Sequence, residues 1–233
     1  MADSSEWGAG GLKKSLYQRY DHPIIVVGAG PGNPDYMLPA ARKAVEHTSV
    51  LVAGKRLLDA YTREGQTTFA VTADIDGVLD FIRAKVRYHD VVVLVSGDPG
   101  YFSLLDALRR SFPQDMLQVI PGISAMQFAF ARLALPWHEA RLVSLHGREP
   151  REEQLIWRPG AVIGILTDRE HTPQRVAAQL FAEGWPPTAR LYICERLSYE
   201  DETITQTTLG HVSKAPAAVS CILIAEDTQE DVG

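Results

Sequence analysis

The chain has 233 residues, 45% apolar and 22% charged, which suits a globular protein with a buried core and excludes a wholly disordered one. Its net charge of −6 argues against a dedicated nucleic-acid binder, which carries a basic stripe. No apolar run approaches the roughly 20 residues needed to cross a bilayer, and Met1–Glu6 lacks signal-peptide features, so a cytoplasmic protein with no membrane partner is expected.

Residues 1–21, with glycines among polar neighbours, read as an extension outside the fold. From Pro23 the element types alternate. Strands are predicted at Ile24–Val27, Ser49–Ala53, Val91–Val95 and Leu117–Ile120, interleaved with helices at Leu38–His47, Ile75–Arg87, Ser103–Ser111 and Ala125–Leu133. The run Val91-Val92-Val93-Leu94-Val95 is what a strand covered on both faces requires, so this half is expected to be an α/β domain with a mostly parallel sheet. Leu135-Pro136-Trp137-His138 reads as the hinge, placing one domain at 22–136, a second at 137–226 and a tail at 227–233. In the second half, strands are expected at Ala140–Leu145, Ala161–Leu166, Arg190–Cys194, Thr203–Thr207 and Ala218–Ile224. One long helix, Pro173–Glu183, ends near Gly184, which makes this unit strand-rich and mixed in direction. Cys194 and Cys221 fall in apolar runs without a CxxC partner and read as buried small hydrophobes; no metal site is expected.

Three glycine loops follow strands. Val27-Gly28-Ala29-Gly30-Pro31-Gly32-Asn33-Pro34 invites a dinucleotide reading but fails it. Asn33 stands where the fingerprint needs Gly, Pro31 has no N–H, and Gly54-Lys55 replaces the acidic residue expected after the second strand. The loop reads instead as pocket lining or a structural turn. Ser96-Gly97-Asp98-Pro99-Gly100-Tyr101 puts a carboxylate at the carboxyl end of a central strand, where open α/β sheets bind ligands. Asp98 either accepts from a ligand or caps the helix opening near Ser103. Pro121-Gly122-Ile123-Ser124-Ala125 ends a strand and opens a helix, making Ser124 a natural N-cap. His146 and Arg148 together would suit a carboxylate-rich ligand, although a lone His is more often structural. The acidic residues of Glu195–Glu202 read as a solvated turn. With no nucleophile elbow, HExxH or zinc spacing, no catalytic side chain is assigned and the chemistry must come from a bound cofactor.

In this order and spacing, Gly28-x-Gly30-Pro31-Gly32-x-Pro34, Ser96-Gly97-Asp98-Pro99 and Pro121-Gly122-Ile123-Ser124 resemble the tetrapyrrole methylase family, over about Pro23 to Ile224. That family uses S-adenosylmethionine, releasing S-adenosylhomocysteine, to methylate uroporphyrinogen, precorrin and related macrocycles. Ala53–Leu58, Leu135-Pro136-Trp137, Leu142–Arg148 and Leu166–Pro173 resemble the branch acting at carbon-5 of precorrin-7 or cobalt-precorrin-7 in cobalamin synthesis. In some organisms that activity is fused to a carbon-15 methyltransferase and decarboxylase. This chain is too short to carry that second domain, which makes a separate carbon-15 enzyme a candidate partner.

The resemblance implies two α/β domains, each a sheet flanked by helices, with the cofactor in the cleft between them, and a homodimer. It implies that Pro31 lines the cleft and that Ser96, Gly97, Asp98 and Tyr101 meet the methionine and ribose portions. Ser124 and Ala125 would contact the cofactor, Leu166 or Thr167 would flank the adenine, and Glu195, Arg196 and Leu197 would close over it. His146 and Arg148 would hold the acidic side chains of the tetrapyrrole. Asn33 departs from the acidic or small residue common in the first loop, and Ser198-Tyr199-Glu200-Asp201 from the typical Gly-Tyr-Pro-Asp. Competing readings are a methylase for another ring carbon, the diphthamide-modifying branch of the family, a non-catalytic tetrapyrrole carrier and a nucleotide-binding oxidoreductase.

Overall fold

A computed structural model of the chain describes residues 22–146, 150, 152–213 and 221–227. In chain order the first half contains β1 (Ile24–Gly28), α1 (Pro39–His47), β2 (Val50–Gly54), α2 (Lys55–Tyr61), β3 (Thr67–Val71), α3 (Ile75–Lys85), β4 (Val91–Val95), α4 (Leu105–Ser111), β5 (Leu117–Ile120) and α5 (Ala125–Arg132). The second half contains β6 (Arg141–Ser144), α6 (Glu152–Leu155), β7 (Val162–Leu166), α7 (Pro173–Ala182), β8 (Arg190–Glu195), β9 (Thr203–Thr208) and β10 (Ile222–Glu226). Each half builds one five-stranded sheet.

The first sheet has the order β3-β2-β4-β1-β5 and is parallel throughout. Side chains alternate between its faces with the strand period of two. Ile24, Val26, Val91 and Val93 enter a core with Val78 and Ile82 of α3 and Leu108 of α4. Val27, Leu51, Val92 and Leu94 enter another with Ala41 and Val45 of α1 and Leu57 of α2. The chain leaves β1 toward β2 on one side and leaves β4 toward β5 on the other, although β1 and β4 are neighbours. That reversal opens a crevice at their carboxyl ends, the place where doubly wound sheets take ligands.

The second sheet has the order β6-β7-β10-β8-β9. β6 and β7 are parallel, β10 is antiparallel to both its neighbours, and β9 is antiparallel to β8. The mixed direction agrees with the sequence reading. The last strand lies later than the expected Ala218–Ile224, at Ile222–Glu226, while 218–220 fall outside the described residues. Three of the named helices and strands went unread: α2, which starts directly after Gly54 without a side-chain cap, β3, an edge strand opened by two threonines, and α6, a single four-residue turn.

α5 follows the first sheet in sequence but packs on the second. Its Met126, Phe128, Ala129 and Phe130 join Tyr192, Cys194, Ile222 and Ile224 in one cluster. Gly164 on β7 makes room, because a Cβ there would lie 2.5 Å from Met126 Sδ and 3.1 Å from Phe130 Cε2. At the far end of the chain, Asp227 accepts from Trp157 Nε1 at 3.2 Å and from the Gly160 N–H at 3.0 Å.

Both cysteines are free and buried, as their sequence context led us to expect. Burial pushes the Cys194 thiol up to about 12 and the Cys221 thiol up to about 11. At about pH 8 neither thiol therefore ionises in the native protein, and a thiol-specific chromogenic reagent should label both only after denaturant is added. Phe130 is fully buried where α5 meets the second sheet; Phe130→Ala should lower the unfolding free energy in urea by about 3–5 kcal/mol.

Candidate functional site

The carboxyl ends of β1, β4 and β5 meet without intervening side chains. A Cβ at Gly28 would lie 2.6 Å from the Gly97 carbonyl oxygen and 2.7 Å from the Gly122 nitrogen; at Gly122 it would lie 2.3 Å from that same oxygen. Gly30 and Gly97 exchange hydrogen bonds, Gly30 N–H to Gly97 O at 3.2 Å and Gly97 N–H to Gly30 O at 2.9 Å. Both glycines have positive φ, +80° and +67°, a conformation other residues adopt at a cost.

Asp98 is committed to this junction. Its Oδ1 accepts from the Gly100 N–H at 2.8 Å and its Oδ2 from the Gly122 N–H at 3.0 Å. It does not cap the following helix: α4 opens at Leu105, later than the expected Ser103, and the Leu105 N–H donates to Ser103 Oγ at 3.1 Å. Ser124 does cap α5. Its Oγ accepts from the Gln127 N–H at 3.1 Å, and Gln127 Oε1 accepts from the Ser124 N–H at 2.9 Å.

Tyr101, Ala125, Leu166 and Leu197, all singled out from sequence, pack in a single apolar cluster with α5. The Tyr101 hydroxyl is buried and has no hydrogen-bond partner among the described residues, and burial pushes its pKa up to about 12. An unsatisfied buried hydroxyl is costly unless a ligand completes it. Thr167 spends its hydroxyl elsewhere, donating to the Cys221 carbonyl and accepting from the Cys221 N–H, both at 2.9 Å. Its side chain pins β10 to the end of β7. His146 is exposed in the turn after β6, while Arg148 lies outside the described residues.

The turn after β8 reaches across to the first half. Arg196 and Ser198 adopt φ of +50° and +71°, and Ser198 Oγ accepts from the Asn33 N–H at 2.9 Å. The two departures from the family pattern are thus in contact with each other. Tyr199 covers Gly32, where a Cβ would lie 2.5 Å from its ring. Arg56 of α2 donates from Nη1 to the Tyr199 hydroxyl and from Nη2 to Ser96 Oγ, the latter at 3.2 Å. The acidic turn is not simply solvated, as the sequence reading had it. Glu202 accepts from the Ser198 N–H at 2.6 Å and pairs with Arg132 of α5 at 2.8 Å, because its position beside α5 supplies donors that a surface turn lacks. An open groove of about 480 Å³ runs between Asn33-Pro34 and Arg196–Asp201. Arg56 and Tyr199 were missed as site residues because they are 143 positions apart and neither belongs to a glycine loop.

The family model of the Tetrapyrrole (Corrin/Porphyrin) Methylases matches residues 23–213. The chain belongs to this family. Among curated tetrapyrrole methylases, the cobalt-precorrin-7 C(5)-methyltransferase of Salmonella typhimurium is 35% identical over 181 residues, covering 78% of this chain and 88% of that one. Among solved structures, the methyltransferase CobJ superposes with a TM-score of 0.73 at 21% identity, over 88% of this methylase and 93% of that chain. Uroporphyrin-III C-methyl transferase from Thermus thermophilus, complexed with S-adenyl homocysteine, superposes with a TM-score of 0.67 at 22% identity, over 87% and 96% of the two chains. The two-sheet architecture described above is the fold of these neighbours.

The junction fits the family's cofactor. The ends of β1, β4 and β5 form its floor, Tyr101, Leu166 and Leu197 supply an apolar wall, and the buried Tyr101 hydroxyl waits for an acceptor or donor. Removing the Asp98 carboxylate would leave the Gly100 and Gly122 N–H groups of this methylase without acceptors. Asp98→Ala should therefore cost about 1–3 kcal/mol of stability in urea unfolding, with Asp98→Asn intermediate because its amide oxygen keeps one acceptor.

Proposed function

We propose that this chain is an S-adenosylmethionine-dependent C-methyltransferase acting at carbon-5 of precorrin-7 or cobalt-precorrin-7 in cobalamin biosynthesis. The observation that carries the reading is 35% identity over 78% of the chain to the Salmonella typhimurium enzyme of that name. The stretches singled out in the sequence for that branch, Ala53–Leu58 and Leu142–Arg148, support it. A homodimer, on the strength of the family resemblance, and the cytoplasmic location expected from the sequence complete the reading.

The cofactor supplies an electrophilic methyl group on a sulfonium, so the chain's own residues need only align the reactants and exclude water. In this reading Pro31, Gly97 and the backbone of Ser96 line one wall. Asp98 holds the Gly100 and Gly122 amides in place and keeps lone pairs for a cofactor hydroxyl or amino group. The Tyr101 hydroxyl gains its missing partner. Ser124 and Ala125 present the start of α5, Leu166 flanks the adenine, and Thr167 contributes through its backbone carbonyl because its hydroxyl and its N–H are both engaged with Cys221. Glu195, Arg196 and Leu197 close the cleft from the second half, and His146 with Arg148 receives acidic groups of the macrocycle. No protein nucleophile takes part.

Thermal unfolding with S-adenosylhomocysteine, with NAD as control, tests the cofactor assignment. Ligand at about 100 times its Kd adds about 2.7 kcal/mol, which should raise Tm by roughly 5–10 °C for a chain of this size. A shift with S-adenosylhomocysteine alone, followed by a one-methyl mass gain at carbon-5 of the precorrin substrate, is the expected result. Macrocycle binding without any cofactor shift would instead identify a carrier, and a gain at another carbon would move the reading to another branch.

A further inference from the structure

Arg56 is the second residue of α2, at the carboxyl rim of the first sheet, and it bridges the two halves of the molecule. Nη2 donates to Ser96 Oγ at 3.2 Å and Nη1 donates to the Tyr199 hydroxyl. Both partners are neutral. Among the described residues no carboxylate pairs with Arg56, whereas Arg63, Arg83, Arg132 and Arg196 each pair with one: Glu46, Asp80, Glu202 and Asp201. Arg196 also stacks on the Tyr199 ring, with its guanidinium carbon 5.0 Å from the ring centroid. Of the two guanidiniums on that tyrosine, only Arg56 keeps a charge that no acid offsets.

Two hydroxyls orient the guanidinium without consuming it. A guanidinium has five N–H donors, so about three remain for another acceptor. A planar cation held in this way is suited to a bidentate carboxylate, and its exposure lets a ligand reach it from solvent. Its position matters equally. Ser96 directly precedes Gly97 and Asp98, where the three strand ends meet, so an acid bound at Arg56 belongs to a molecule lying across the mouth of that crevice.

We propose that Arg56 anchors a carboxylate side chain of the tetrapyrrole substrate and thereby sets the macrocycle against the three glycine loops. This rests on the functional reading above. It adds a binding residue from the first half of the chain to those of that reading.

The test uses the full-length protein and uroporphyrin III, a stable polycarboxylate tetrapyrrole whose fluorescence reports binding. Arg56→Gln should weaken uroporphyrin III binding by about ten- to a hundredfold while changing S-adenosylhomocysteine affinity by less than about twofold and lowering Tm by at most about 2–4 °C, through loss of the exposed hydrogen bonds to Ser96 and Tyr199. Arg56→Lys should recover part of the loss, because it keeps the charge but not the fork. Arg63→Gln, which removes an exposed arginine already paired with Glu46, should change nothing. With the precorrin substrate, KM should rise in Arg56→Gln and kcat should hold. Equal uroporphyrin III affinity in Arg56→Gln and wild type would overturn the proposal. So would a parallel loss of S-adenosylhomocysteine binding, which would make Arg56 a tie between the halves, or a wild type that binds S-adenosylhomocysteine but not the porphyrin. A wild type that binds neither removes the functional reading itself, and this inference with it.

Discussion

Backbone meets backbone at Gly28, Gly97 and Gly122, at separations that leave no volume for a side chain, and much of the molecule follows from that contact. It sets the ends of β1, β4 and β5 at a common level and brings the Gly122 N–H within reach of Asp98. Once Gly122 is fixed, Ser124 is placed to cap α5, and the direction in which α5 departs is set. α5 then carries Met126 and Phe130 onto the second sheet, where Gly164 admits them. A constraint on three glycines in one sheet is thereby transmitted, through one capped helix, to the placement of the other.

The halves are joined in two physically different ways. Beneath the site the joint is apolar, with the face of α5 buried against β10 and β7, and burial of that kind contributes about 25 cal/mol per Å². At the rim it is polar: Asn33 to Ser198, Arg56 to Ser96 and Tyr199, and Arg132 to Glu202. An exposed ion pair is worth about 0–1 kcal/mol and a hydrogen bond about 0.5–1.5 kcal/mol, so the apolar joint holds the halves together while the polar rim selects their orientation. Such a rim can rearrange around a ligand at small cost. The core below it cannot.

Legibility in the sequence tracked how local the determining physics is. Val91–Val95 was plain because a strand covered on both faces needs an unbroken apolar run, and the Ser124 cap because its partner, Gln127, is three residues away. β3 escaped notice because an edge strand tolerates Thr67 and Thr68 on exposed positions, and α2 because seven residues after an uncapped start leave little periodicity to see. The role of Asp98 was open in the sequence because one of its donors, Gly122, lies 24 residues on, across a helix and a strand. Glu202 looked solvated because nothing near it in sequence hints at Arg132. The glycine loops themselves were recognisable as family signatures, so the floor of the site was readable while its rim, made of contacts between distant side chains, was not.

The position of β10 has a consequence for synthesis. The last of the described strands occupies the middle of the second sheet, hydrogen-bonded to β7 on one side and β8 on the other. β6 and β7 can pair early, and β8 with β9, but the two pairs have no common partner until Ile222–Glu226 has left the ribosome. Until then the apolar face of α5 has only part of its covering surface, although the first sheet that bears it is already complete. Nascent chains with an exposed apolar helix face are prone to association, and long-range pairing of this sort folds slowly. Production of the protein should therefore depend on temperature and chaperone supply during the interval between translation of α5 and release of β10, more than on the stability of the finished fold.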